Sequence, residues 1–102
     1  MKNRPPAARR FLVRGRVQGV GFRYFAQAAA QRLQVRGWVR NRSDGTVEAL
    51  AIATPDALER FEQALRQGPP GARVATVESS PLDASTLDSV SGFRVEISVE
   101  GE

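Results

Sequence analysis

The sequence contains no cysteine and no histidine. The first absence removes disulfides, thiol nucleophiles and cysteine-ligated metal sites. The second removes a Ser-His-Asp triad, a histidine general base and histidine-ligated metals. Any catalysis therefore has to run on arginine, lysine, carboxylates, amides, hydroxyls or backbone groups. No apolar run approaches the ~20 residues that span a bilayer. The start, Met1-Lys2-Asn3-Arg4-Pro5-Pro6, is basic, but the apolar stretch of a signal peptide does not follow it. The expectation is a cytoplasmic protein with no membrane partner. Acids are missing from the whole first part of the chain: the first is Asp44.

What is present fits one domain. A chain of 102 residues has room for a single core. Apolar content of 41% and charged content of 25% are ordinary for a globular protein. The net charge of +4 hides a division. Residues 1–43 hold 11 of the 15 basic residues, whereas residues 44–102 hold all 11 acids against Arg60, Arg66, Arg73 and Arg94. Such asymmetry points to an anionic partner for the first half. Part of it also reads as a disordered basic tail and solvated strand faces. Residues 1–9 are expected to be a flexible basic leader and residues 10–102 a single domain.

Hydrophobic periodicity gives the element order. Residues 11–17 are apolar and β-branched and read as a first strand. Phe22, Phe25, Ala26, Ala29, Ala30 and Leu33 recur at spacings of three and four, which predicts an amphipathic helix over 22–33. Residues 35–41 read as a second strand and 46–53 as a third, joined by a hairpin at Ser43-Asp44-Gly45. Thr54 is a good N-cap, with Pro55 at the first helical position. A second helix buries Leu58, Phe61 and Leu65 and stops at Gly68-Pro69-Pro70-Gly71. Residues 73–78 form a fourth strand and 79–92 a loop. A last strand over 93–99 sets Phe93, Val95, Ile97 and Val99 on one face. The order predicts an α+β, ferredoxin-like βαββαβ sandwich with both helices on one face of the sheet and an additional C-terminal strand. That architecture hosts many activities and does not give function.

The turn from first strand to first helix carries Gly15, Gly19 and Gly21. Glycine permits positive φ and close approach of backbone to a ligand. Successive N–H groups in such a turn can converge on an anion, and the helix N-terminus adds its own donors and partial positive charge. Arg23 stands in the first helical turn, where a cation is unfavourable unless an oxyanion is near. The spacing is neither that of the Walker loop nor that of the dinucleotide fingerprint. On spacing alone, an anion site and a turn that needs glycine for geometry both fit.

The run Val13-Arg14-Gly15-Arg16-Val17-Gln18-Gly19-Val20-Gly21-Phe22-Arg23 resembles the first signature of the acylphosphatase family. Gly37-Trp38-Val39-Arg40-Asn41-Arg42-Ser43-Asp44-Gly45-Thr46-Val47-Glu48 resembles its second. The stretch from Leu65 to Val74 and Phe93-Arg94-Val95 are also similar to bacterial members, so the likeness covers residues 10 to 97. The resemblance implies the ferredoxin-like fold and hydrolysis of the carboxyl-phosphate bond of small acyl phosphates to carboxylate and inorganic phosphate. It implies that Arg23 binds the phosphate together with backbone N–H groups of Gly15, Arg16, Val17, Gln18, Gly19 and Val20. By the same resemblance Asn41, otherwise an ordinary residue before a hairpin, orients the attacking water. No cofactor and no metal is implied, and a monomer is expected.

The remaining residues receive plainer roles. Trp38 reads as a sheet-face aromatic, Phe22 and Phe25 as core, and Gln18 as a backbone donor only. Glu48 suits a solvated strand face. Arg14, Arg16, Arg40 and Arg42 are expected to raise the positive potential at the site mouth. No apparatus for the acyl group is visible, which predicts broad tolerance there. One alternative is RNA binding, since Gly21-Phe22-Arg23-Tyr24-Phe25 echoes an aromatic RNA-binding segment; it ranks below catalysis because these residues suit a helix rather than a strand. The other is a non-catalytic accessory domain on the same fold.

Overall fold

Seven elements follow one another: β1 (Ala7–Arg16), α1 (Phe22–Leu33), β2 (Arg36–Asn41), β3 (Val47–Ala53), α2 (Pro55–Gln67), β4 (Arg73–Leu82) and β5 (Phe93–Val95). They come from a computed structural model, which describes residues 5–83, 85 and 90–97. Both helices have the expected bounds, for local reasons. Gly21 adopts the left-handed conformation (φ 77°) and opens α1, while Gln34 (φ 61°) closes it. Thr54 Oγ1 accepts a hydrogen bond from the Ala57 N–H to cap α2, with Pro55 directly behind it.

The five strands form one sheet in the order β4-β1-β3-β2-β5. β1 pairs antiparallel with β3 and β4, β2 antiparallel with β3, and β2 parallel with β5. Because β1 and β2 each run antiparallel to the β3 between them, they run the same way, connected by α1. The same holds for β3 and β4, which flank β1 and are connected by α2. This is the expected ferredoxin-like sandwich with its added strand.

Side-chain alternation decides which face the helices cover. Phe11 and Val13 of β1, Val39 of β2 and Val47, Ala49 and Ala51 of β3 join Phe22, Ala26, Ala29 and Ala30 of α1 and Leu58, Phe61 and Leu65 of α2 in one core. Alanines on α1 and β3 let helix and sheet approach closely. Phe61 binds the layers laterally: its ring packs edge-on against Phe11 and against Phe93, both at 5.7 Å between centroids.

Three expectations change. β1 begins at Ala7, so residues 7–9 belong to the sheet rather than to a leader; residues 1–4 lie outside the described residues. β4 runs on to Leu82, four residues into the expected loop, because Ser79–Leu82 find ladder partners in Ala8 to Phe11. At a sheet edge the backbone pairs whatever the polarity of the outward side chains. β5 ends at Val95: Phe93 is buried, but Ile97 is 85% exposed, and Val99 lies outside the described residues. The apolar alternation of the sequence runs on past the ladder, which ends at the Val39–Val95 pair although β2 itself continues to Asn41.

The face away from the helices mixes apolar and charged residues: Ala8 and Ile52 are buried there, with Leu50 and Leu82 packed against them. On it Glu48 is only 5% exposed, clamped by Arg10 from β1 and by Arg40 from β2, the latter at 2.8 Å. Glu48 is thus a buried ionic centre and not the solvated residue that its strand position implies. Burial works to raise the pKa of its carboxyl. The hydrogen bonds and charges of Arg10 and Arg40 outweigh that and hold it below its ordinary value.

Candidate active site

At one end of the sandwich the β1–α1 turn faces the end of β2. Val39 of β2 lies in the core beneath the helices, and Asn41, two residues on, lies on the same face. Asn41 is also the last ladder residue of β2, paired with Val47. It therefore stands at the sheet end, beside the start of α1. A cleft of about 170 Å³ opens there, lined by Val17, Gly19, Gly21, Phe22, Arg23, Tyr24 and Asn41. Arg23 and Asn41, eighteen positions apart in sequence, meet in one pocket.

The glycines of the turn divide into two kinds. Gly15 belongs to β1 at a bulge, with φ 130°, paired with Val74 of β4. A Cβ there would meet the Arg73 carbonyl oxygen at 2.2 Å, so glycine is needed for strand approach. Gly19 and Gly21, at φ 76° and 77°, have open space around them and give the turn its left-handed corners. Of the six expected backbone donors, Val17 and Gly19 line the cleft. Gly15 and Arg16 pair with Val74 and Arg73 of β4 at the entry to the turn, and Gly21 and Phe22, outside the expected set, also line the cleft. Gln18 and Val20 flank the lining residues within the turn.

The N-terminus of α1 is ready for an anion. No side chain caps it and its first turn carries no acid. Its N–H groups and dipole therefore favour negative charge, and Arg23 supplies a full positive charge in the same turn. The Arg23 guanidinium is itself held, since Nη1 donates to the Glu96 carbonyl at 2.9 Å. Glu96 is fixed in turn: its N–H donates to the Val39 carbonyl at 2.8 Å. Nothing in the local sequence pattern around Glu96 signals this role.

Gln18 does more than offer backbone. Its side-chain amide donates to the carbonyls of Arg42 at 2.7 Å and Thr46 at 2.9 Å. Those two residues close the hairpin after Asn41, where the Arg42 N–H also donates to the Thr46 carbonyl. Asp44 tightens the same hairpin by accepting from the Thr46 hydroxyl at 2.6 Å and the Thr46 N–H at 3.0 Å. These hydrogen bonds, with smaller help from Arg42 and Arg14, hold the Asp44 carboxyl below its ordinary pKa.

The arginines expected at the mouth separate by strand parity. Arg14 pairs with Glu78, and Arg40 joins Glu48 and lies 5.0 Å from the Trp38 ring centroid. Both occupy the face opposite the helices. Arg42 sits in the hairpin with Asp44 3.8 Å away, and Arg16 is exposed at the end of β1. The residues that echoed an RNA-binding strand lie in α1, with Phe22 buried, so they form no aromatic sheet surface. A roomier groove of about 250 Å³, lined by residues that include Arg9, Glu59 and Glu62, carries acids that repel an oxyanion.

A family model described as acylphosphatase matches residues 9–95. The chain belongs to the acylphosphatase family. An acylphosphatase of Salinibacter ruber is 52% identical over 83 residues, covering 81% of this chain and 85% of that relative. The solved acylphosphatase of Bacillus subtilis superposes with a TM-score of 0.82 at 39% identity, covering 87% of this chain and 97% of that one. The structure of an acylphosphatase from Coxiella burnetii gives 0.83 at 35% identity, covering 90% and 94%. As a member of the acylphosphatases the chain is a hydrolase of acyl phosphates. Among the described residues no helix is long and apolar enough to cross a membrane, and no three acidic side chains gather as a metal site.

Proposed function

We propose that the chain hydrolyses the carboxyl-phosphate bond of small acyl phosphates, with the phosphate held by Arg23 and the N–H groups of the β1–α1 turn, and water oriented by Asn41. The observation that carries this reading is that Arg23 and Asn41 share one cleft at the uncapped start of α1. An arginine fork matches phosphate with parallel N–H donors. Val17 to Val20 and the first turn of α1 supply further donors, while Gly15 and Arg16 set the path of the turn from within β1.

Phosphoryl transfer needs positioning and charge stabilisation more than covalent help. Water held by the Asn41 amide attacks phosphorus. The bond from phosphorus to the acyl oxygen breaks, and the electron pair leaves with the carboxylate. An amide cannot take the water's proton, which passes to a phosphate oxygen of the substrate itself. Carboxylate is already a good leaving group, so no strong general acid is required. The reading needs no metal or cofactor, and it includes a monomer acting in the cytoplasm.

Phosphate release from benzoyl phosphate tests it. Turnover should be inhibited by free phosphate and unaffected by EDTA. Arg23→Ala should lose at least about 10³-fold in kcat/KM together with phosphate affinity. Asn41→Ala should lose at least about 10²-fold in kcat while phosphate affinity is kept. Near-normal turnover in either variant would falsify the assigned roles. RNA affinity that falls with salt, in a chain that releases no phosphate, would favour the alternative.

A further inference from the structure

Tyr24 is one of two large apolar side chains that stand exposed among the described residues, at 64%. It contributes nothing to the buried stripe of α1, which is Phe22, Ala26, Ala29 and Ala30. It does line the cleft beside Arg23 and Asn41. An aromatic ring kept in water at a site rim is available for a ligand.

The size of the cleft says which part of the ligand. Pockets that enclose drug-sized ligands run to about 300–1,000 Å³, and this one holds about 170 Å³. That accommodates a phosphate with its attacking water. It does not enclose an aryl acyl group as well. Once phosphate lies against Arg23 and the α1 N-terminus, the acyl group extends over the rim, where Tyr24 offers a flat aromatic face.

We infer that Tyr24 is a specificity-determining residue, whose exposed ring packs against planar aromatic acyl groups and favours aryl acyl phosphates over short aliphatic ones. This rests on the reading above, in which the phosphate sits between Arg23 and the turn. It replaces the broad acyl tolerance expected from the sequence. Such packing acts on bound substrate and transition state alike, so it is read in KM more than in kcat.

The test compares benzoyl phosphate with acetyl phosphate in the wild-type chain, Tyr24→Ala and Tyr24→Phe. Tyr24→Ala should lower kcat/KM for benzoyl phosphate about three- to tenfold, mainly through KM. Its kcat/KM for acetyl phosphate should fall less, so that the benzoyl-to-acetyl ratio drops about threefold or more, since a methyl group gains little from an aromatic face. Tyr24→Phe should keep the wild-type ratio of the two substrates. An equal loss on both substrates, an unmoved ratio, or a Tyr24→Phe variant that behaves like Tyr24→Ala overturns the inference and leaves acyl phosphate hydrolysis standing. Failure of the wild-type chain to hydrolyse either substrate overturns both.

Discussion

The side-chain amide of Gln18 donates to the Arg42 carbonyl at 2.7 Å, which joins the β1–α1 turn to the hairpin that follows Asn41. A second bond from the same nitrogen reaches Thr46 at 2.9 Å. The anion-facing turn and the amide-bearing strand end are far apart in the chain. This side chain ties the turn that precedes Arg23 to the hairpin that follows Asn41, beside the link that Arg23 makes to β2 through Glu96.

Gln18→Ala should therefore lower kcat by at least about tenfold, because misplacement on the scale of 1 Å can cost about 10²-fold. Each of the two carbonyls would lose one donor while keeping a backbone one, from Gly45 to Arg42 and from Arg42 to Thr46, so stability should fall by about 0.5–1.5 kcal/mol. Gln18→Glu should be worse, since a carboxylate presents acceptors to acceptors. Steady-state kinetics alongside urea unfolding measure both effects. A Gln18→Ala variant with unchanged kcat would show that the two halves are held together by other means.

Glu96 acts on Arg23 through its backbone, so side-chain truncation is the control. In Glu96→Ala both backbone contacts remain, and activity should stay within about twofold, the loss being confined to an exposed pair with Arg94. Glu96→Pro removes the N–H that donates to Val39 and shifts the carbonyl that holds Arg23. Its kcat/KM and its affinity for inorganic phosphate should both fall, by about tenfold or more. Equal behaviour of the two variants would count against this positioning role.

Glu48 makes stability depend on pH in a defined direction. Its folded pKa lies below the ordinary 4.5. Its contribution is therefore present above that value and is lost as pH falls through the lower folded value. The Asp44 carboxyl shifts the same way and adds to the acid sensitivity. Glu48→Gln should be about 1–3 kcal/mol less stable than wild type at pH 7. The gap should narrow below about pH 4. Denaturant unfolding at pH 7 and pH 3.5 checks this; a gap that stays constant would mean the carboxylate charge does not contribute.

Gly15 is a packing glycine, and its substitution should act on the fold. Gly15→Ala places a methyl group against the Arg73 backbone at a φ that side chains rarely adopt. A loss of at least about 2 kcal/mol is expected. Residual activity should follow the folded fraction, which thermal unfolding and phosphate release measured on one preparation can establish. Full stability with lost phosphate affinity would instead assign Gly15 a direct binding role.

Local order was legible in the sequence because it is set by local physics. The apolar spacing from Phe22 to Leu33 and the Thr54-Pro55 cap and Gly68 stop marked both helices at their observed bounds. Those signals act within a few residues of the backbone they govern. The turn glycines, Arg23 and Asn41 were likewise visible, as motif residues.

The tertiary structure alone decided what those residues face. Strand parity and register send Arg14 and Arg40 to the face opposite the helices and bury Glu48 between two arginines. β1 draws residues 79–82 into its ladder. Folding brings the Gln18 amide to the hairpin, the Glu96 carbonyl to Arg23, and the Tyr24 ring to the rim of the cleft. Apart from the Arg40–Glu48 pair across the β2–β3 hairpin, these contacts join segments distant in sequence. Periodicity cannot report such contacts, because it records which face of an element is apolar and not which element lies opposite.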